Sequence, residues 1–246
     1  MAKIEIFDSL PSTQTVALNR LMGGPEEPGW ILAREQTKGI GRHGRQWIGT
    51  KGNLMASRYE VMTLDVRQAP QLSFVTALAI YEMLRPLIPD TDAALRIKWP
   101  NDILYNGAKL CGILVQTEPS QREGHLGVVI GIGMNVARAP ILEGYLTIGL
   151  RDISPAAKTL DAEAVLIKLT AHLDSVLDLW RDKGFDDIAK AWLKRAYGRE
   201  MTLKAVHDGV TITGKLKGLD PFGGLQITAQ DGQVVTLTGG DVDYEE

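Results

Sequence analysis

The chain has 246 residues, with 27 Lys and Arg against 30 Asp and Glu and a net charge of −3. That length holds one large core, or one large and one small domain, and the mild acidity argues against a surface built for nucleic acid or anionic membrane. The hydrophobic share of 44% is that of a globular protein, the lone Cys111 excludes an internal disulfide, and no apolar run nears the ~18 residues of a membrane span.

Residues 1–7 (MAKIEIF) alternate polar and apolar, as a half-buried strand does, and do not read as a leader. Together with the single cysteine this predicts a soluble cytoplasmic protein. Ser12 or Thr13 can cap a first helix carrying Val16, Leu18, Leu21 and Met22, which Gly23-Gly24-Pro25 stops. Residues 30–33 (WILA) and 53–61 read as strands. Residues 72–87 form the clearest amphipathic helix, with Phe74, Val75, Leu78 and Met83 at helical spacing. Residues 95–99 and 102–105 read as strands, and Asn106-Gly107 is a strong hairpin signal leading into a return strand at 109–116. Residues 126–136 (LGVVIGIGMNV) complete a run of hairpin-linked strands, which implies a mixed, largely antiparallel sheet.

Asp161 opens a long helix with Leu166, Leu169, Leu173, Leu177 and Trp180, a stripe that suits core packing; a second helix is expected over 185–197. From Met201 the period becomes two, in short strands separated by Asp208-Gly209, 221–224 (PFGG) and Asp231-Gly232. That pattern describes a small β-barrel or sandwich. The expected organisation is therefore α+β: residues 1–197 as one domain with flanking helices, and 198–246 as a small β domain.

The stretch 34–51 (REQTKGIGRHGRQWIGTK) is locally +4 in an acidic protein, with five basic residues against one acid. Its glycines permit bending and close approach, and arginine forks suit phosphate and carboxylate, so a mobile cationic flap over an anion is expected. Gly39-Ile40-Gly41-Arg42-His43-Gly44 also fits GxGxxG, but the dinucleotide fingerprint needs a helix to start there, and residues 46–52 make a poor one. A P-loop is absent. Residues 98–102 (KWPND) place a lysine, an amide and a carboxylate at a strand interruption, and Lys109 begins the strand across the hairpin. On residues alone, Lys98 and Lys109 could reach one pocket, and Asp102 could hold a divalent cation with water and phosphate. A turn with solvated lysines is the plainer alternative. Gly131-Ile132-Gly133-Met134-Asn135 is a strand whose glycines mark close approach of a ligand or of neighbouring backbone. The four histidines are scattered, without metal-ligand spacing.

Taken together, these segments resemble the biotin protein ligases. That family carries a GRGRxGRxW loop, matched at 39–47; KWPND, matched unchanged at 98–102; a KLxGILVE-like strand, matched at 109–116; GxGxN, matched at 131–135; and Ser-Thr-Asn, matched at Ser12-Thr13-Gln14. The order is kept over about the first two-thirds of the chain, and the β-rich tail fits as well. Two positions depart from the pattern: Ile40 stands for the first loop arginine, and Gln14 for asparagine.

The resemblance implies a lipoate-ligase-like or class II synthetase-like catalytic fold followed by an SH3-like barrel. It implies that biotin is activated by ATP with Mg²⁺ as biotinyl-5′-adenylate, then passed to a lysine of a biotin carboxyl carrier domain. It implies Ser12, Thr13, Gln14, Gln36, Gly39 and Gly112 around biotin, and Arg42 and Lys109 as the groups acting at the reacting centre and touching biotin. It further implies Arg45, Trp47, Lys98, Trp99, Asn101 and Asn135 with Arg42 at the nucleotide, and Asp102 at Mg²⁺. A lipoate or octanoate ligase of the same fold is the nearest alternative, and a biotin-binding protein without catalysis the next. With the Ser-Thr motif at residue 12, no helix-turn-helix precedes it, so no specific DNA binding is expected. The sequence leaves a homodimer open.

Overall fold

A computed structural model describes residues 2–24, 27–88, 91–207 and 209–245. Met1, Pro25 of the expected helix stop and Asp208 of the expected Asp-Gly turn lie outside the described residues. The first strands, β1 (Lys3–Phe7) and β2 (Gly29–Ala33), run parallel, with helix α1 (Thr13–Met22) in the crossover between them. The other pairings between strands of this sheet are antiparallel. β3 (Leu54–Thr63) is followed by α2 (Gln71–Leu84), the short α3 (Thr91–Ala94) and three strands, β4 (Leu95–Lys98), β5 (Asp102–Tyr105) and β6 (Ala108–Pro119). β7 (His125–Met134) closes a seven-stranded sheet of order β1-β2-β3-β7-β6-β5-β4. At the β5–β6 turn Asn106 and Gly107 have φ of 47° and 79°, the left-handed pair that an Asn-Gly hairpin supplies.

The short α4 (Leu150–Ile153), α5 (Ala162–Lys183) and α6 (Phe185–Arg195) follow. The Asp161 carboxylate accepts from the Ala164 N–H at 2.8 Å, and Gly184 ends α5 at φ 77°. One face of α5 buries Leu166, Leu169, Leu173 and Leu177 completely, while Ile167 opposite is exposed. Each of these leucines contributes ~1.5–3 kcal/mol by burial. Helix α2 differs from its sequence reading. It stops at Leu84, and from Gln71 to Tyr81 every residue is buried. The main sheet lies on one side of it and α5 and α6 on the other, so it has no solvent face to make it amphipathic. Its outer charge, Glu82, pairs with Arg195 at 2.7 Å.

A second, fully antiparallel sheet holds β8 (Thr202–His207), β9 (Val210–Leu219), β10 (Leu225–Ala229), β11 (Val234–Leu237) and β12 (Val242–Glu245), in the order β11-β10-β9-β8-β12. The architecture is the expected α+β one. The second sheet is fastened to the first by the β9–β10 turn. The Pro221 carbonyl accepts from Gln71 at 2.8 Å, and the Gly223 carbonyl accepts from the Trp99 indole at 3.1 Å. Gly223 has φ 90°, and a Cβ there would stand 2.5 Å from the Phe74 ring, so only glycine permits this approach. At the other contact the rings of Tyr197 and Tyr244 meet edge to face, 5.1 Å apart.

Candidate active site

The basic loop leaves β2 and folds back on itself. Trp47 N–H donates to the Gly39 carbonyl at 2.9 Å, and Gly41 N–H to the Arg45 carbonyl at 2.7 Å. A Cβ on Gly39 would stand 2.4 Å from the Trp47 carbonyl oxygen, so this glycine closes the loop backbone and does not itself line the cavity. No helix begins here beyond the single turn Arg42–Gly44, which agrees with rejecting the dinucleotide pattern. The loop lays the Trp47 ring against β6 and β7. Cβ atoms on Gly112 and Gly133 would meet that ring at 3.0 and 2.2 Å. Gly112 and Gly133 are thus explained by one aromatic ring.

Beneath the loop lies a cavity of about 180 Å³. One end is a ladder of neutral hydrogen bonds. Gln36 Oε1 accepts from the Thr13 N–H at 2.7 Å and from its hydroxyl at 3.1 Å. The Ser57 hydroxyl lies 2.9 Å from Thr13 Oγ1 and 3.0 Å from Gln14 Oε1. The Gln14 amide occupies the space above Gly131, where a Cβ would stand 2.4 Å from its oxygen. Ser12 caps α1 by position only; its buried hydroxyl has no partner among the described residues. An unsatisfied buried hydroxyl costs ~1–3 kcal/mol, so this oxygen marks where a polar ligand group would bond.

The other end is charged. Lys109 Nζ lies 2.8 Å from Asp102 Oδ1 and 5.7 Å from the centre of the Trp47 ring. Arg42 donates to Asn101 Oδ1 at 3.1 Å and to the Gly240 carbonyl at 3.0 Å. Arg45 donates to Asp241 at 2.6 Å and to the Tyr145 hydroxyl at 3.4 Å. Burial pushes the Arg42 guanidinium below its ordinary pKa, and the charges of Asp241 and Asp102 resist that shift. Burial also works downward on Arg45, but its hydrogen bond and charge pairing with Asp241 prevail and raise it. Both remain cations, as arginine does in proteins. Asn135 is buried with its Oδ1 unpartnered among the described residues, while its Nδ2 donates to the Lys109 carbonyl at 3.3 Å.

Among residues expected at the site, Ser12, Thr13, Gln14, Gln36, Arg42, Arg45, Trp47, Asn101, Asp102, Lys109, Gly112 and Asn135 all meet at this cavity. Lys98 and Trp99 do not. Lys98 stands on β4, with β5 between it and Lys109, and its ammonium sits 5.2 Å above the Tyr244 ring. Trp99 is buried and holds the β9–β10 turn. Sequence reasoning missed Ser57, Tyr145 and Asp241. Ser57 carried a faint signal, a small polar residue within a strand-like stretch. Among the described residues no cluster of three or more His, Cys, Asp or Glu could hold a metal by itself. The cavity's carboxylates are Asp102 and Asp241, oxygen donors of the kind Mg²⁺ takes alongside phosphate and water.

Residues 6–135 match the Biotin/lipoate A/B protein ligase family, which sets the class, and residues 197–244 match the Biotin protein ligase C terminal domain. The biotin--[acetyl-CoA-carboxylase] ligase of Paracoccus denitrificans is 36% identical over 230 residues, covering 91% of this chain and 93% of that one. Its counterpart in Mycobacterium tuberculosis is 29% identical over 249 residues, 98% of this chain and 88% of the relative. The solved biotin protein ligase of Aquifex aeolicus in complex with biotin and ATP superimposes with a TM-score of 0.78 at 26% identity, covering 100% of both chains. The chain belongs to the biotin protein ligase family.

Proposed function

We propose that this chain activates biotin with ATP and transfers it to a lysine of a biotin carboxyl carrier domain. In the first step a biotin carboxylate oxygen attacks the α-phosphate of ATP, and pyrophosphate leaves. In the second, a lysine amine attacks the carbonyl of the resulting mixed anhydride, and AMP leaves. The observation that carries this reading is a single cavity with a neutral hydrogen-bond ladder at one end, three cations at the other and an indole between them. A ureido-type head suits the ladder, and a carboxylate meeting a triphosphate needs the cations.

Ser12, Thr13, Gln14 and Gln36 hold the biotin head, with Ser57 fixing the rotamers of Thr13 and Gln14. Trp47 covers the ligand's middle, where Gly112 leaves it room. Lys109 and Arg42 stabilise charge at the reacting centre, Arg45 and Asn101 steady the phosphate end, and Asn135 offers its free oxygen to the adenine side. Mg²⁺, held by Asp102 with phosphate oxygens and water, would screen the triphosphate. Lys98 and Trp99 serve instead to fasten the second sheet. The loop excludes water from an anhydride that hydrolyses readily. Residues 1–197 act as the catalytic domain and 198–246 as a small accessory domain. The match over residues 197–244 favours biotin over lipoate. No helix among the described residues is long and apolar enough to cross a membrane, and a reaction that consumes ATP fits the cytoplasm.

The test is mass spectrometry of a carrier domain incubated with the chain, ATP, Mg²⁺ and biotin. One biotinyl group per carrier is expected, absent from the biotin-free control and not displaced by equimolar lipoate. An unmodified carrier would refute the reading.

A further inference from the structure

Asn53 stands at the exit of the basic loop, one residue before β3, and is buried. Three of its side-chain hydrogen bonds cross to the turn that follows β7. Oδ1 accepts from the N–H groups of Ala137 at 2.9 Å and Arg138 at 3.2 Å, and Nδ2 donates to the Arg138 carbonyl at 2.7 Å. The second hydrogen of Nδ2 goes to the Thr50 hydroxyl at 3.0 Å. Both donors and both acceptor positions of the amide are thus in use. Beside it Gly52 has φ 93°, and a Cβ there would stand 2.9 Å from the Ala137 side chain, so only glycine lets the loop's exit lie this close to the turn.

We infer that Asn53 is a positioning residue: through the turn at Ala137 and Arg138 it sets the wall of the cavity that faces the nucleotide. The inference rests on the ligase reading above.

Residues 137–149 supply Pro140, Leu142, Tyr145 and Thr147 to the cavity lining. The far end of this segment is tied to the Lys109 backbone, whose N–H donates to the Leu146 carbonyl at 2.7 Å and whose carbonyl accepts from the Ile148 N–H at 3.1 Å. The Tyr145 hydroxyl accepts from Arg45. Two of the three cations at the charged end therefore lean on this segment. Between those ties Ile141 and Leu146 are exposed, so packing does little to hold it. Its near end is held by Asn53, which takes both backbone groups of Arg138. The neutral ladder rests on α1, Gln36 and Ser57 instead. Losing the Asn53 amide should therefore disturb the nucleotide end and spare the biotin head.

Asn53→Ala leaves three backbone groups of the turn without partners, which favours a turn opened to water. In biotin-dependent ATP–pyrophosphate exchange, KM for ATP should rise about tenfold or more while KM for biotin stays within about twofold. Asn53→Asp keeps the acceptor for both N–H groups and should show the same split to a smaller degree, which preserves the test if the alanine variant does not fold. Tryptic cleavage after the exposed Arg138 in the ligand-free protein should rise about fivefold or more in Asn53→Ala, whatever the activity. Equal rises in both KM values, or an unchanged KM for ATP in a folded variant, would overturn the positioning role. Equal cleavage after Arg138 in parent and variant would overturn the anchor itself. A parent protein lacking exchange altogether, with cleavage still dependent on Asn53, would instead remove the ligase reading.

Discussion

Arg45 and Asp241 meet at 2.6 Å although 196 residues separate them, so the glycine-rich loop is tied to the residue that precedes β12. Arg42 reinforces the tie through the Gly240 carbonyl. The two arginines that would face an anionic ligand are therefore steadied by a protein carboxylate beforehand. With side chains 47% and 59% exposed, the pair contributes only ~0.2–1 kcal/mol. Asp241→Asn should leave thermal stability nearly unchanged but loosen the loop. Tryptic cleavage after Arg42 or Arg45 in the ligand-free protein should rise by up to about fivefold, the equivalent of that energy. Biotin with ATP should restore protection. Equal cleavage rates in the two proteins would show that Asp241 does not hold the loop.

Lys109 sits where the neutral and charged ends of the cavity join, with Asp102 as its partner and Trp47 across from it. Lys109→Ala removes the cation nearest the reacting atoms and leaves Asp102 unpaired. Losing a preorganised charge from a transition state costs about 100-fold or more, or ~2.7 kcal/mol. Biotin-dependent pyrophosphate exchange should fall by at least that much, with Lys109→Arg recovering part of it. Near-normal exchange in Lys109→Ala would sink the assignment.

What the sequence made legible was local in cause. Asn106-Gly107 adopts the left-handed pair its chemistry favours, and Asp161 caps the helix it was expected to open. The glycines at Gly131 and Gly133 could be read as sites of close approach, though not as the beds of the Gln14 amide and the Trp47 ring. What stayed hidden depends on distant partners. The strand β12 is short and acid-rich, and it exists by pairing with β8. Asp241 acquires its meaning only when the second sheet docks, and Lys98 turns toward Tyr244 for the same reason. The periodicity of α2 failed as a guide because helices cover the side that would otherwise meet water.

Cys111 is fully buried, and burial first, then the charge of Asp102, raises its thiol pKa far above the ordinary value of 9.0, with Lys109 working the other way. The thiol therefore stays protonated in the folded protein while the unfolded chain ionises near the ordinary value. A raised folded-state pKa means that this contribution is fully present below about pH 9 and is lost as pH rises beyond it, by ~1.4 kcal/mol per unit. The thermal midpoint should drop between pH 8 and pH 10, and Cys111→Ala should flatten that part of the profile. An identical slope in the variant would remove Cys111 as its source. Iodoacetamide should also fail to label the native thiol at pH 9 while labelling the denatured chain.

Ile40 lines the cavity mouth, 43% exposed, and bridges to Gln46 across the loop. The resemblance places an arginine there. An isoleucine offers neither charge nor donors, so the hold on an anionic intermediate falls to Arg42, Arg45 and Lys109. In Ile40→Arg a fourth cation joins them. Without ligand it adds like-charge repulsion to a loop whose partner carboxylate, Asp241, is already shared by Arg42 and Arg45. The empty loop should therefore be cut faster by trypsin, at the new site as well as the old ones. With ligand the balance reverses, because a charge-assisted bond to phosphate or carboxylate is worth ~1.5–3 kcal/mol. Dissociation of labelled biotinyl-adenylate, followed by gel filtration, should slow about tenfold, which needs only ~1.4 kcal/mol of that. An unchanged dissociation rate would mean that position 40 does not reach the intermediate, and that this loop retains it without the arginine that the family pattern places there.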